Sequence, residues 1–349
     1  VGGVKIDVKG RGGVSRAFDC PPDERILHAG LAAGVGLPYE CGTGTCGTCR
    51  ATLVEGNVDA GWPEAPGRKY FKAGRDELLM CQARPLADCA LEFGAGFAEA
   101  HRCAPGHVAG TIVRQTPLTH DVVDLDVALD RAVDFDAGQY MILTAPGIAG
   151  GRSYSMVNDA AATTNFNFVI KRKPGGALSD WLFERRVEGE RVELFGPLGH
   201  AIFSPEIERN LLVIAGGSGI AGMMSILSRA CAAGHFERFT GDVFFGVRTP
   251  RDFFYLEALV GFRAKAQASL RVVVALSDAA APPEAQAAHP ALEFDTGFVH
   301  EVAGRRMQGR YTNVRAYVAG PPPAVDASLR MLLREARLPA TEIRYDKFS

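Results

Sequence analysis

Three cysteines fall within thirteen residues in PYECGTGTCGTCR, residues 38–50. Cys41, Cys46 and Cys49 are spaced C-x4-C-x2-C, and Cys81 follows in LLMCQA. Sulfur this dense could serve a disulfide, a zinc ion or an iron–sulfur cluster. Eight cysteines in 349 residues is far below the density of a disulfide scaffold. A structural zinc site more often shows two separate C-x2-C pairs. The spacing therefore favours a 2Fe–2S cluster held by Cys41, Cys46, Cys49 and Cys81. Four thiolates must converge on one small rhomb, so the loop has to wrap tightly. Gly42, Gly44 and Gly47 permit the positive φ that turns backbone N–H groups toward sulfur. Cys20, Cys89, Cys103 and Cys231 have no spaced partner and read as small buried or half-buried side chains.

Further stretches carry residue types that can meet a phosphate or an aromatic ring, although GRSYS and VIKRKPGGALSDWLF, each taken singly, read equally as a strand with a surface arginine and an ordinary strand-to-helix turn. GRSYS at 151–155 offers a guanidinium, Arg152, for a phosphate and a ring, Tyr154, for stacking, with Ser155 beside them. VIKRKPGGALSDWLF at 169–183 reads as strand, glycine turn and helix start. Its Gly175, Gly176 and Ser179 would present amides and a hydroxyl to phosphate, with Ile170 and Lys171 on the preceding strand. In NLLVIAGGSGIAGMMS, residues 210–225, Gly217, Gly219 and Gly222 fit G-x-G-x-x-G between a strand and a helix. That turn lets backbone, with Ser218, approach a pyrophosphate. GVRTPRD at 246–252 follows another strand. There Arg248 would favour a 2′-phosphate, and Asp252 would disfavour it and accept from a ribose hydroxyl. A second glycine turn, AGPPP at 319–323, brings Gly320 and Pro321 to the end of a later strand.

The intervening sequence supplies the elements that position these groups. VKIDVKG and VSRAFDC alternate as a strand pair. ERILHAGLAAG follows as an amphipathic helix with Ile26, Leu27, Leu31 and Val35 facing inward, and RATLVEGNV as a further strand. EAHRCAPGH, at 99–107, reads as a linker. Beyond it HVAGTIVRQTPL, DVVDLDVAL, GQYMILTAP, NFNFVIKRK and ERVELFGPLG form short β-type runs, as in a small antiparallel barrel. From 204 onward strands alternate with helices, the pattern of a parallel sheet. SDAAAPPEAQAAHPALE, at 277–293, reads as a surface loop. The expected domains are 1–98, 108–203 and 204–349.

The net charge of -2 gives no pull toward nucleic acid or an anionic membrane. Residues 1–98 carry 11 basic against 12 acidic side chains, so no steering patch is evident there. No apolar run approaches a bilayer span, and VGGVKIDVKG lacks the apolar core of a signal peptide. The expected location is the cytoplasm. None of the eight histidines shows ligand spacing.

Together, PYECGTGTCGTCRATLVEGNV, GWPEAPG at 61–67, RSYSMVN, SDWLFE, AGPPPAVDASLRMLL and IRYDKF resemble the reductase components of bacterial multicomponent aromatic-ring or alkene oxygenases. The likeness spans essentially the whole chain and is strongest to reductases of carbazole dioxygenase and toluene monooxygenase type. These belong to the ferredoxin–NADP reductase superfamily and carry a plant-type ferredoxin domain at the N-terminus. The resemblance implies an α+β multidomain fold: a β-grasp ferredoxin domain, an antiparallel β-barrel holding FAD, and a Rossmann-like α/β domain for NADH. It also implies an oxidoreductase of aromatic hydrocarbon catabolism that passes electrons from NADH through FAD and the 2Fe–2S cluster to a terminal oxygenase or its ferredoxin. A donor of electron pairs and an acceptor of single electrons need a flavin between them.

Carried over residue by residue, Arg152 pairs with a flavin phosphate, Tyr154 packs on the ring and Ser155 bonds near its N5. A terminal aromatic, Phe348, covers the flavin face where nicotinamide stacks. Cys41 and Cys46 mark the edge where electrons leave and the partner docks. This sequence departs from the family twice. Gly222 stands where the family has proline, and Ala319 stands where a cysteine commonly precedes the Gly-Pro turn. A three-domain reductase for another acceptor, such as a sugar-deoxygenation enzyme, shares the plan. So does a cluster-bearing redox module whose flavin domain no longer works.

Overall fold

The computed structural model describes residues 2–159 and 162–347. Phe348 therefore lies outside the described residues. The chain divides into two compact units. One comprises Val1–Ala109, Met141–Ser153 and Glu193–Leu198; the other comprises Gly110–Tyr140, Tyr154–Val192 and Gly199–Ser349.

The first begins with β1 (Val4–Lys9), β2 (Ser15–Cys20), α1 (Ile26–Ala32), β3 (Arg50–Glu55), β4 (Val58–Asp59), β5 (Glu77–Leu79), β6 (Arg84–Pro85) and β7 (Cys89–Glu92). Five strands form one sheet in the order β2-β1-β7-β3-β5, and β4 pairs β6 separately. β1 runs antiparallel to β2 and parallel to β7. Its alternation sends Ile6 and Val8 into the core and Lys5, Asp7 and Lys9 to solvent. Ile26, Leu27 and Leu31 are buried as expected, but α1 is not amphipathic: His28, Ala29 and Gly30 are buried too, and the buried Val35 lies beyond its end at Ala32. This is the β-grasp plan, and it leaves the long loop between α1 and β3 free to wrap a ligand.

The barrel-like middle contributes β8 (Gly106–Pro117), β9 (Val122–Val133), β10 (Tyr140–Thr144), β11 (Arg152–Ser155), β12 (Thr163–Lys171), α2 (Ala177–Glu184) and β13 (Arg191–Leu198). Its strands join in the order β11-β10-β13-β8-β9-β12. β11 is the R-x-Y-S segment, and α2 follows the β12 glycine turn.

Parallel strands and helices complete the chain: β14 (Asn210–Gly216), α3 (Ile220–Ala232), β15 (Gly241–Val247), α4 (Leu256–Ala266), β16 (Leu270–Leu276), α5 (Pro283–Ala288), β17 (Glu293–Thr296), α6 (Val299–Met307), β18 (Val314–Gly320), α7 (Pro322–Arg330) and β19 (Ile343–Lys347). The sheet order is β17-β16-β15-β14-β18-β19, every pairing parallel. β14 is buried on both faces. Leu211, Val213 and Ala215 pack with α3 and α4, whereas Leu212 and Ile214 pack with α6 and α7. The strand order reverses at β14, whose neighbours are β15 and β18, and such a switch point opens a crevice at the strand C-termini.

Two stretches differ from the sequence expectation: the stretch read as a linker, 99–107, ends inside β8, which begins at Gly106, and a loop turns out to hold a helix. α5 lies inside the stretch read as a loop, because Pro283 suits a first helical turn, where no N–H is needed. Among the described residues no helix is long and apolar enough to cross a membrane.

Candidate functional site

The loop between α1 and β3 carries Cys41, Cys46 and Cys49, and Cys81 meets them from the turn after β5. Cys49 and Cys81 are buried, and Cys41 and Cys46 are half-buried. Gly42, Gly44 and Gly47 all have positive φ, at 68°, 88° and 76°. Their turns aim amides at sulfur. Thr43 N and Cys46 N each lie 3.4 Å from Cys41 Sγ; Cys41 N and Thr48 N each lie 3.5 Å from Cys46 Sγ. Gln82 Nε2 adds a contact of 3.5 Å to Cys81 Sγ. These thiols perturb one another. A hydrogen bond from the Cys46 thiol, helped by the Thr43 and Cys46 amides, holds the Cys41 thiol below its ordinary range, and the Cys46 thiol moves up in response. Four crowded sulfurs and a ring of inward amides suit thiolates shared with cationic iron, so the residues fit a 2Fe–2S cluster.

Two supports of this loop were not legible in the sequence. The first is GWPEAPG. Gly67 N donates to Gly44 O at 2.9 Å, and a Cβ on Gly67 would sit 2.9 Å from Gly47 N. The motif is a brace that only glycine lets approach; Trp62, 38% exposed, takes no part that we can assign. The second is Ser153, the variable position of R-x-Y-S. Its hydroxyl donates to Cys41 O at 2.6 Å. A Cβ on Gly42 would stand 2.9 Å from Ile142 Cδ1 of β10, so the loop is also pressed closely there. Ser153→Ala should therefore keep cluster and flavin content but slow reduction of the cluster by on the order of tenfold, because removing a positioning hydrogen bond loosens the acceptor. Stopped-flow absorbance with NADH checks this; unchanged cluster reduction would show that the bond is passive.

On β11, Ser155 is 4% exposed and its Oγ has no hydrogen-bond partner. A buried, unsatisfied hydroxyl is costly unless a ligand completes it. That orphan fits a flavin ring, for which FAD supplies exchange between paired and single electrons when bound. Tyr154 lies beside Phe168, with ring centroids 6.5 Å apart, and Arg152 Nη1 donates to Gly151 O at 2.8 Å. Ile170 is fully buried at the end of β12.

The glycine turn after β12 is more self-contained than the sequence suggests. Gly175 N donates to Asp180 Oδ2 at 2.9 Å and Gly176 N to Lys173 O at 2.8 Å. The Ser179 hydroxyl donates to Lys173 O at 2.9 Å and accepts from Lys173 N at 3.1 Å. These groups shape the turn before they meet any phosphate.

At the switch point of the parallel sheet, Gly217–Gly219 form a short turn into α3. A Cβ on Gly219 would lie 2.6 Å from Ala319 C and O and from Gly320 N. The turns after β14 and β18 are thus in contact, backbone on backbone. They line a cavity of about 730 Å³ that contains Gly217, Ser218, Gly320 and Pro321, and also Lys171 and Arg248. A cleft of this size with two glycine turns suits a dinucleotide. Gly222, where the family pattern has proline, faces Ser155. A Cβ there would come 3.2 Å from Ser155 Cβ, so the small residue leaves room beside Ser155.

Charges in the cleft are paired in an order the sequence did not reveal. Asp252 Oδ2 accepts from Thr249 N at 2.9 Å, and Oδ1 accepts from Arg248 Nη2 at 2.9 Å. Both oxygens of this buried carboxylate are therefore engaged in its own turn. Asp121, from the β8–β9 turn, also reaches Arg248 at 3.2 Å and Lys171 Nζ at 3.1 Å. Arg248 consequently faces two carboxylates.

Comparison with known proteins agrees with this architecture. Residues 10–86 match the 2Fe-2S iron-sulfur cluster binding domain, 109–203 the oxidoreductase FAD-binding domain and 213–329 the oxidoreductase NAD-binding domain. The ferredoxin–NAD(+) reductase component of the alkene monooxygenase system of Xanthobacter autotrophicus is 36% identical over 339 residues, covering 95% of this chain and 98% of that protein. The ferredoxin–NAD(P)(+) reductase CarAd of Metapseudomonas resinovorans is 33% identical over 336 residues, covering 94% and 96%. The solved ferredoxin reductase in carbazole 1,9a-dioxygenase superposes with a TM-score of 0.82 at 31% identity, covering 99% of this chain and 98% of that one. With its iron–sulfur, FAD-binding and NAD-binding domains in this order, the chain belongs to the family of ferredoxin–NAD reductase components of multicomponent oxygenase systems.

Proposed function

We propose that this chain takes electron pairs from NADH and delivers single electrons, in the cytoplasm, to a terminal oxygenase or its ferredoxin docked at the Cys41–Cys46 edge. The observation that carries this reading is the bond from Ser153, within the flavin strand, to the carbonyl of Cys41. Its direction is supported by burial. The two half-buried cysteines, Cys41 and Cys46, mark the outer edge, and Cys49 and Cys81 the inner one. We take domain boundaries at 98, 108 and 204 as the working division. On this reading Arg152, Tyr154 and Ser155 hold the flavin, with Ile170, Lys171, Gly175, Gly176 and Ser179 flanking it. Gly217, Ser218, Gly219, Arg248, Asp252, Gly320 and Pro321 take the nicotinamide nucleotide. Phe348 remains the proposed cover of the flavin face.

NADH is preferred over NADPH because Arg248 already serves Asp121 and Asp252. A 2′-phosphate would have to displace one carboxylate and sit beside the other, and like charges at that range repel. An anaerobic titration with NADH, followed by visible absorbance and low-temperature EPR, tests the reading. Flavin and cluster bands should both bleach and a rhombic signal of a reduced 2Fe–2S centre should appear. A missing flavin band, or no response to NADH, would sink the reductase reading. In steady state, kcat/KM for NADPH should trail NADH by on the order of tenfold or more, and Asp121→Asn should narrow that ratio by freeing Arg248. Equal use of the two nucleotides by the native chain would refute the role given to the carboxylates.

A further inference from the structure

A second cluster of ligand-type side chains lies apart from the four cysteines. Glu24 lies two residues before α1, His28 is the third residue of that helix, and His107 stands at the start of β8. One ligand atom from each lies within 4.8 Å of the others. His28 is 3% exposed, and its ring stacks on Phe195 with centroids 3.8 Å apart and planes 9° apart. Neither of its nitrogens has a hydrogen-bond partner. Its Nδ1 nevertheless points at Glu24, 3.3 Å from Oε1, and the other oxygen of Glu24 meets His107 Nε2.

A buried imidazole whose Nε2 has no hydrogen-bond partner and whose Nδ1 has only the Glu24 carboxylate, at 3.3 Å, is unusual, because such nitrogens lose water on folding and normally regain a well-formed bond. Packing alone would be better served by an apolar ring at this place. The separation of Nδ1 from Oε1 is informative. Two ligands at zinc-type bond lengths on a tetrahedral ion lie about 3.4 Å apart, which is close to the spacing found here. Two imidazoles and one carboxylate form a donor set that suits a borderline divalent ion such as zinc, with water filling the fourth position. His107 is the adaptable member, since its side chain is 55% exposed and can withdraw from its close contact with Glu24 to admit the ion.

We propose that Glu24, His28 and His107 form a structural site for a divalent cation of the zinc class, separate from the four-cysteine centre. The ion would tie the start of β8 to α1. Because it would bind the folded chain and not the unfolded one, it would stabilise the fold by mass action.

The test uses the full chain with cluster and flavin bound, dialysed against a chelator and titrated calorimetrically with zinc chloride. One equivalent should bind at micromolar zinc, with the visible spectrum unchanged and the thermal midpoint raised. His107→Gln and Glu24→Gln should each weaken binding by on the order of tenfold or more, as loss of a ligand does. His107→Gln sits at a half-exposed position and should leave the fold intact, with native visible absorbance as the check. No heat of binding at micromolar zinc, or an affinity in both variants equal to that of the native chain, would overturn the site and leave only a His–Glu–His cluster without an ion. Bleaching of the cluster bands during titration would also count against it, because the zinc would then be entering at the cysteines.

Discussion

Cys46→Ser should lower NADH-dependent reduction of cytochrome c by about 100-fold or more, a loss expected when an obligatory one-electron relay is removed. Reduction of ferricyanide by NADH should stay within about twofold of the native rate, because dyes can take electrons directly at the flavin. Cys46 is half-buried, so the substitution costs little packing. Its consequence is chemical. Two amides, Cys41 N and Thr48 N, are aimed at the Cys46 sulfur, and the serine hydroxyl that replaces it is a poorer iron ligand at neutral pH. Cys46→Ala, which offers no ligand atom, should show the same split even if serine retains partial occupancy. Iron and acid-labile sulfide analysis, beside the two assays, checks the result. Parallel collapse of ferricyanide reduction would place the cluster before the flavin and reverse the order of carriers argued above.

What the sequence made legible was local. The C-x4-C-x2-C run, the glycine turn after β14 and the alternation of β1 each carry their geometry within a few residues. The groups that connect these pieces are distant along the chain. Ser153 meets Cys41 across 112 positions and Arg248 meets Asp121 across 127. Neither pair has a periodicity or spacing by which it could be found. The same holds for His28 and His107, which show no ligand spacing yet converge on Glu24. In other places the motif was visible and its internal bonding was not. Ser179, Gly175 and Asp252 read as groups free to meet a ligand, and the structure shows them bonded within their own turns. Short polar side chains beside glycines compete for nearby backbone, and which partner wins is decided by tertiary packing that no local spacing reveals. GWPEAPG illustrates the converse: a motif with no chemistry of its own proves to brace the loop that has it.

Gly219→Ala should raise KM for NADH or lower kcat, reducing kcat/KM by on the order of 100-fold, since misplacement by about 1 Å is enough for such a loss in a transfer step. The reason is contact, not backbone conformation. Gly219 has φ −61° and ψ −16°, angles that alanine adopts readily. Its added methyl, however, would meet the Ala319 carbonyl and Gly320 N at 2.6 Å. Those atoms belong to the backbone of β18 and cannot rotate away, so the two turns that line the cleft must separate. Overpacking of this kind typically costs about 1–3 kcal/mol, which a chain of this size tolerates, so the protein should still fold and bind flavin. Gly217→Ala provides the contrast. Its φ of 54° strains any other residue, but a Cβ there meets nothing within 4 Å. It should cost on the order of 1 kcal/mol in stability and leave the cleft walls in place. Steady-state ferricyanide reduction against NADH, with flavin content measured on the same samples, separates the two effects. Equal losses in both variants would mean that backbone strain in the turn, and not the approach of β14 to β18, governs nucleotide binding.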